Sequence, residues 1–229
     1  MCGRYTLTDP SPLMRRFGLE EFAETGITPR FNVAPTQLVP IIVDTPRGPE
    51  MRLARWGFVP PWLSSPMKGP PPINARAETL TERAMFRSAL RYQRCLIPAD
   101  GFYEWKTAPG GKSKQPMYIR LKVGGLFAFA GLYAEAPADN PAEDTCVIIT
   151  TEANALMSQI HHRMPVIVEP TDESTWLNHR ENHTTQVLKL LRQYSTEAME
   201  SFPVSSLVNT AAIDEPGLIE PEVEQPSLF

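Results

Sequence analysis

Cys2, Asn74, Arg76, Glu104, His161 and Arg163 are the residues of this chain whose types and settings can do chemistry. Cys2 follows the initiator directly, and its other neighbour is Gly3, so nothing bulky shields the thiol. Removal of Met1, which a small second residue permits, leaves a free α-amine and a thiol on adjacent carbons, a 1,2-aminothiol. Such an amine titrates near about 7.7–8.0 and such a thiol near about 8.5 unless its surroundings shift it, so both are usable nucleophiles near neutral pH. The competing reading is a chance cysteine at a frayed terminus.

Glu104 sits among Phe102, Tyr103 and Trp105. A carboxylate framed by aromatics is partly desolvated, which raises its pKa and suits it to general acid–base work. The alternative is a strand-edge glutamate facing water. His161 and His162 precede Arg163; on an extended segment adjacent side chains point opposite ways, so at most one imidazole enters a given pocket. A satisfied structural imidazole is the other reading. Asn74 and Arg76, two apart, share a face if extended, one placed for a sugar hydroxyl or carbonyl and the other for a phosphate. Otherwise Asn74 satisfies loop backbone and Arg76 pairs with Glu78.

The elements that must position these groups are short. Ser11 to Gly18 reads as a helix stopped by glycine, and Leu38 to Val43 and Met51 to Phe58 read as strands. Pro60 to Pro72 is a loop. Thr79-Leu80-Thr81-Glu82 has the form of a capping box opening a helix to about Tyr92. Cys95 to Ile97 is a strand. Met117 to Val123 and Leu126 to Leu132, joined by Gly124-Gly125, read as a hairpin. Cys146 to Thr150 and Val166 to Val168 are strands, and helices are expected from Thr151 to about Gln159, near Thr171 to Asn178 and near Thr184 to Gln193. Strands outnumber helices and do not alternate with them. The expected fold is α+β, one domain over residues 1–222 with a mostly antiparallel, barrel-like sheet flanked by short helices, and an acidic tail at 223–229.

Charge narrows the partners. The net charge of −4 hides a strong asymmetry. From Gln193 to Phe229 there are seven acids and no Lys or Arg, which leaves the body with 22 basic against 19 acidic residues. Arg47 to Arg94 holds nine basic residues, eight of them Arg, against Glu50, Glu78 and Glu82. Arginine in such excess suits bidentate phosphate binding. Trp56, Phe58, Trp62 and Met85 are interleaved with arginines such as Arg87, a pattern that suits single-stranded nucleic acid, where bases stack and phosphates pair. Core packing is the rival reading for Trp56 and Phe58.

At 229 residues, 42% of them apolar, the chain is long enough for a sizeable core. Three cysteines without CxxC spacing argue against a disulfide framework or a cysteine-rich zinc site. There is no HExxH, no GxSxG and no phosphate-cradling glycine loop. No metal or cofactor is expected, no run reaches membrane-spanning length, the N-terminus lacks a signal-peptide pattern, and a cytoplasmic monomer is the simplest expectation.

The segments MCGRY at Met1, FNVAPTQ at Phe31, RWGFVPPW at Arg55, INARAET at Ile73, CLIPADGFYEW at Cys95, FAFAGLY at Phe127, ITTEAN at Ile149, IHHRMPVI at Ile160 and VSSLVN at Val204 together resemble the SRAP family, the SOS response-associated peptidases or abasic-site processing proteins. The resemblance spans nearly the whole chain, in order. It implies abasic sites in single-stranded DNA as the target, with Cys2 as the N-terminal nucleophile. Asn74, Glu104 and His161 fall on active-site positions; Arg4, Arg76 and Arg163 fall on DNA-contacting positions. It implies a covalent DNA–protein crosslink, with lyase and self-processing activities as further expectations. Two rivals remain at this point: a glutamine amidotransferase of the N-terminal nucleophile class, which also begins Cys-Gly, and a non-covalent single-strand-binding module in which Cys2 is incidental.

Overall fold

The computed structural model describes residues 2–19, 27–63, 67–108, 110–111, 113–136, 143–181 and 183–222. The tail at 223–229 and part of the Pro60 to Pro72 loop lie outside the described residues. The strands are β1 (Tyr5–Leu7), β2 (Arg30–Val33), β3 (Leu38–Thr45), β4 (Gly48–Trp56), β5 (Asn74–Arg76), β6 (Arg94–Ala99), β7 (Gly101–Thr107), β8 (Lys114–Leu121), β9 (Phe127–Ala134), β10 (Thr145–Glu152), β11 (Arg163–Pro165), β12 (Ile167–Val168) and β13 (Met199–Pro203). Among the described residues, four short helices accompany them: α1 (Leu13–Phe17), α2 (Ala84–Tyr92), α3 (Glu173–Leu177) and α4 (Thr184–Val187).

One sheet runs in the order β13-β8-β7-β1-β2. In the other, β10-β4-β3-β6-β9 follow one another and β9 pairs back to β10, closing a ring of five strands. Pairing is antiparallel throughout except where β10 meets β4 and β5. The fold is thus the expected α+β class with a mostly antiparallel, ring-forming sheet.

Period-2 alternation explains why β9 is buried along its whole length. Phe127, Phe129 and Tyr133 join a core with Cys95, Ile97, Cys146, Ile148, Ile41 and Val43. Ala128, Ala130, Leu132 and Ala134 face the second core, shared with Phe86 and Leu90 of α2 and Trp176 of α3. Successive side chains on a strand point to opposite faces, so the first core fills the ring and the second seats the helices. Cys2, Tyr5 and Phe102, from the other sheet, complete the first core. Tyr5 packs edge-on against Trp56 and Phe129 at centroid distances of 5.4 and 5.9 Å. The N-terminal strand therefore plugs onto the ring.

Three sequence expectations need correction. The Gly124-Gly125 turn exists, with φ of 67° and 79°, but it does not make a hairpin. β8 pairs with β7 and β13, whereas β9 pairs with β6, β10 and β12. The two glycines carry the chain from one sheet to the other. The capping box at Thr79 is also absent: a 3₁₀ turn covers Ala77–Thr79, and α2 starts only at Ala84 after Arg83, without a side-chain cap. Finally, Thr151 does not cap a helix; it lies within β10, and the next helical turn, Met157–Gln159, is 3₁₀.

The contact between β1 and β7 is held at one end by Asp100. Its carboxylate accepts from Thr6 Oγ1 (2.5 Å), from the Thr8 amide (2.5 Å) and from Thr8 Oγ1 (2.6 Å). Thr6 Oγ1 also meets Tyr118 Oη at 2.9 Å. Gly101, paired with Thr6, has no room for a side chain: a Cβ there lands 2.1 Å from Tyr118 Oη. Gly101→Ala is expected to destabilise the protein by about 1–3 kcal/mol, the usual cost of overpacking, read as a lower urea midpoint. An unchanged midpoint would mean that Tyr118 is free to move aside.

Candidate active site

The two sheets meet where the chemically capable residues lie. β1 and β7 pair antiparallel through Tyr5 with Phe102 and Thr6 with Gly101, and the Tyr103 amide donates to Arg4 O at 3.0 Å. That register carries Cys2, just before β1, alongside the part of β7 that bears Glu104. From the other sheet, β10 pairs with β5 (Thr150 with Arg76) and with β11 (Glu152 with Arg163). One strand thus holds Asn74 and Arg76 on one side and the His161–Arg163 segment on the other.

Cys2 is fully buried. Its thiol donates a long hydrogen bond to Arg4 O at 3.8 Å. Burial, reinforced by the Glu104 charge, pushes the thiol well above its ordinary pKa. Asn74 Nδ2 donates to Cys2 O at 2.9 Å, while its Oδ1 is buried without a hydrogen-bond partner among the described residues. That oxygen is an unmet acceptor on the side chain that holds the Cys2 carbonyl, and an unmet buried acceptor is costly. Asn74 is positioned in turn by Trp56, whose Nε1 donates to Ile73 O at 2.9 Å.

Glu104 is buried, 3% exposed; the reading of a glutamate facing water is set aside. His161 is held by the chain just beyond it: the Arg163 amide donates to Nδ1 at 3.0 Å. In the neutral ring this leaves the proton on Nε2; the protonated ring can instead direct Nδ1–H to Arg163 O at 3.2 Å. Burial pushes the imidazole below its ordinary pKa, and the Glu104 charge opposes that only in part. Glu104 thus acts electrostatically on both Cys2 and His161. The two histidine rings do not diverge as an extended segment would make them. They lie together, 4.3 Å between centroids and 32° between planes, because β11 begins only at Arg163.

The expected DNA-contacting residues fall into three groups. Arg76 is exposed on β5, on the same face as Asn74. It stands between two grooves. One, of about 550 Å3, is lined by Asn74, Arg76, Arg83, Met67 and Met85; the other, of about 600 Å3, by Arg76, Ser158, His162 and Glu152. Met85 is half-buried and Arg87 exposed, and Arg4 is half-buried with Nη1 on Gly3 O at 3.0 Å. Trp56 requires a correction: it is fully buried, so it holds Ile73 in place and offers no face for a base. Arg163 is also inward. It forms a two-pronged ion pair with Glu78, at 2.8 and 2.9 Å, and its Nη2 donates to Thr150 O at 2.6 Å. Burial raises the Glu78 pKa, but the Arg163 hydrogen bonds and charge outweigh it and hold the carboxyl below its usual value. Glu78 therefore belongs to Arg163 rather than to Arg76. Sequence reading missed this pairing because 85 residues separate the partners. It also missed the Asp100 anchor, for which Asp100-Gly101 gave only the signal of a turn.

Cys2, sealed onto a ring of five strands with the Asn74 amide, the Glu104 carboxylate and the His161 imidazole around it, is the candidate active site. Residues 1–211 match the family described as SOS response associated peptidase (SRAP), and the chain belongs to that family. It is 44% identical to the abasic site processing protein YoqW of Bacillus subtilis over 96% of this chain and 99% of that protein. It is 32% identical to the abasic site processing protein HMCES of Gallus gallus, covering 73% of this chain and 56% of that longer protein. A crystal structure of a protein from Bacteroides thetaiotaomicron superposes with a TM-score of 0.84 at 25% identity, covering 97% of this chain and 100% of that one. Among the described residues no helix is long and apolar enough to cross a membrane.

Proposed function

We propose that this protein processes abasic sites in single-stranded DNA by bonding covalently to them through Cys2, once Met1 has been removed. The observation that carries the proposal is the Asn74 hydrogen bond to the Cys2 carbonyl, which holds the aminothiol residue within the electrostatic reach of Glu104. The names of its relatives, abasic site processing proteins, support the same target.

In this mechanism the neutral α-amine adds to the aldehyde of the ring-opened sugar. Glu104 shuttles protons, and water leaves to give an iminium. The Cys2 sulfur then adds to the same carbon, closing a five-membered thiazolidine, while the S–H proton passes to Glu104 and replaces the proton spent on forming the iminium. The raised thiol pKa is no obstacle, because ring closure moves that proton instead of releasing it to solvent. Both steps are close to intramolecular, which lowers their barriers strongly. The closed ring no longer activates the neighbouring sugar proton, so the strand is shielded from β-elimination. His161 assists proton transfer on opening and closing, and the free Asn74 Oδ1 accepts from the sugar hydroxyl or the amine. Lyase and self-processing peptidase activities are outcomes of the same nucleophile when the ring stays open or when the target is a peptide bond.

Arg4 and Arg76 hold flanking phosphates. Arg163 acts through His161, with its side chain locked by Glu78 so that its amide fixes Nδ1. Arg163→Met is therefore expected to slow crosslinking while leaving the salt dependence of DNA binding unchanged. A slope reduced by about 0.7, the value of one lost single-strand phosphate contact, would place Arg163 on the DNA.

The deciding experiment is incubation with single-stranded DNA carrying one abasic site, followed by a denaturing gel. A heat-stable shifted band is expected. Binding without any shifted band would instead assign a non-covalent module.

A further inference from the structure

Of the sixteen arginines, half are neutralised by carboxylates among the described residues, and four of the rest lie close together. Eight of them pair with carboxylates, from Arg16 with Glu173 to Arg192 with Asp172. Arg76, Arg83, Arg87 and Arg91 are exposed and make no ion pair among the described residues. Three of these are spaced by four along α2 and the residue before it, so they follow one another along one side of the helix. The nearby acids Glu78, Glu82 and Glu152 form no ion pair with them among the described residues: Glu78 is taken by Arg163, and Glu152 shares only the second groove with Arg76.

α2 is a rigid platform for this stripe. Phe86, Ala89 and Leu90 bury its inner face, and Phe86 packs on Phe58 at 5.4 Å between centroids. Arg83 lines the groove that also holds Asn74, Arg76 and Met85, so the stripe begins at the lip of the site and leads away from it. From Arg83 to Arg91 the helix rises about 12 Å. A nucleic-acid strand advances about 3.4 Å per nucleotide when stacked as in a duplex and further when a single strand is extended, so the stripe spans at most about three to four nucleotides. Tyr92, half-exposed beside Arg91 with the guanidinium 5.0 Å from its ring centroid, extends the surface by one aromatic face.

We propose that Arg83, Arg87 and Arg91 form a phosphate track that binds the DNA backbone flanking the lesion and feeds it towards Arg76. This rests on the reading that DNA is the substrate and adds a surface that the chemistry at Cys2 does not require. The track recognises phosphodiester charge and no base, so it contributes salt-dependent affinity without sequence preference.

The test uses full-length protein and single-stranded DNA whose abasic site has been reduced to the alcohol, so that no covalent bond forms. Binding is measured by anisotropy across a salt series. Arg83→Gln/Arg87→Gln/Arg91→Gln is expected to flatten the plot of log affinity against log salt by about two units, at about 0.7 per lost contact. Glutamine keeps the helix propensity at these exposed positions. Arg47→Gln, an exposed arginine in the turn between β3 and β4, is expected to leave the slope as it is. The track is overturned if the triple variant keeps the wild-type slope, if Arg47→Gln flattens it as much per charge removed, or if wild-type protein does not bind this DNA. Crosslinking to aldehyde-bearing DNA is scored separately. Its absence would remove the covalent mechanism and leave the slope result standing.

Discussion

Cys2→Ala should form no heat-stable complex with abasic-site DNA and should nick that DNA instead. After loss of Met1 the variant still presents an α-amine, so the first addition and the iminium remain available. What it lacks is the sulfur that closes the ring. In the native protein the sulfur sits three bonds from the amine nitrogen and attacks without any loss of translational freedom. Well-oriented intramolecular steps of this type reach effective molarities of about 10⁵–10⁸ M, about 7–11 kcal/mol of barrier, so no thiol from solution replaces it. The iminium then persists, acidifies the adjacent sugar proton and releases the strand by β-elimination. A labelled oligonucleotide on a denaturing gel reads both results at once, loss of the shifted band and gain of a cleaved product. A shifted band of wild-type intensity in Cys2→Ala would assign the bond to a different residue.

Glu104→Gln is expected to slow crosslink formation by about 10²–10⁴-fold, the usual contribution of a positioned general acid–base. The substitution preserves shape in a position only 3% exposed, so binding of the reduced lesion should change little. It also removes the negative charge that lifts the His161 pKa against burial. The sign follows: burial already holds the imidazole below its ordinary value of about 6.5, so at neutral pH the ring is uncharged, and its action as an acid appears only as pH falls through the lowered pKa. In wild-type protein, acid-assisted crosslink reversal should therefore rise below about pH 6.5, and in Glu104→Gln that limb should move to lower pH. Reversal rates across this range, measured by transfer to excess competitor DNA, check it. A limb that stays in place would show that His161 and Glu104 are not coupled in the reaction.

Local pattern made some of this fold legible and not the rest. Gly18 does stop α1, adopting the left-handed conformation (φ 61°) in which glycine is favoured, and β3, β4 and β6 lie where β-branched and apolar runs place them. What failed was long-range pairing. Gly124-Gly125 has hairpin chemistry, yet sheet membership is decided by which neighbours bury β8 and β9, and those neighbours are distant in sequence. β1 escaped notice because three residues, Tyr5–Leu7, are too few for a periodic signal. At the candidate site, the sequence nominates Cys2, Asn74, Glu104 and His161, and the structure adds their supports, which the sequence could not. Asp100 gripping Thr6 and Thr8, Trp56 holding Ile73, and Glu78 clamping Arg163 are contacts across 17 to 94 residues. The same cause turned Trp56 and Arg163 from surface contacts into internal supports: exposure depends on what folds over a residue, which composition does not report.

The most direct measurement is tandem mass spectrometry of the crosslinked protein after nuclease and protease digestion. The expected N-terminal peptide starts at Cys2, lacks Met1 and carries the sugar remnant with both the α-amine and the thiol blocked. A remnant on a lysine, a modified peptide that still begins with Met1, or a Cys2 thiol that remains free to alkylate would contradict the thiazolidine bond.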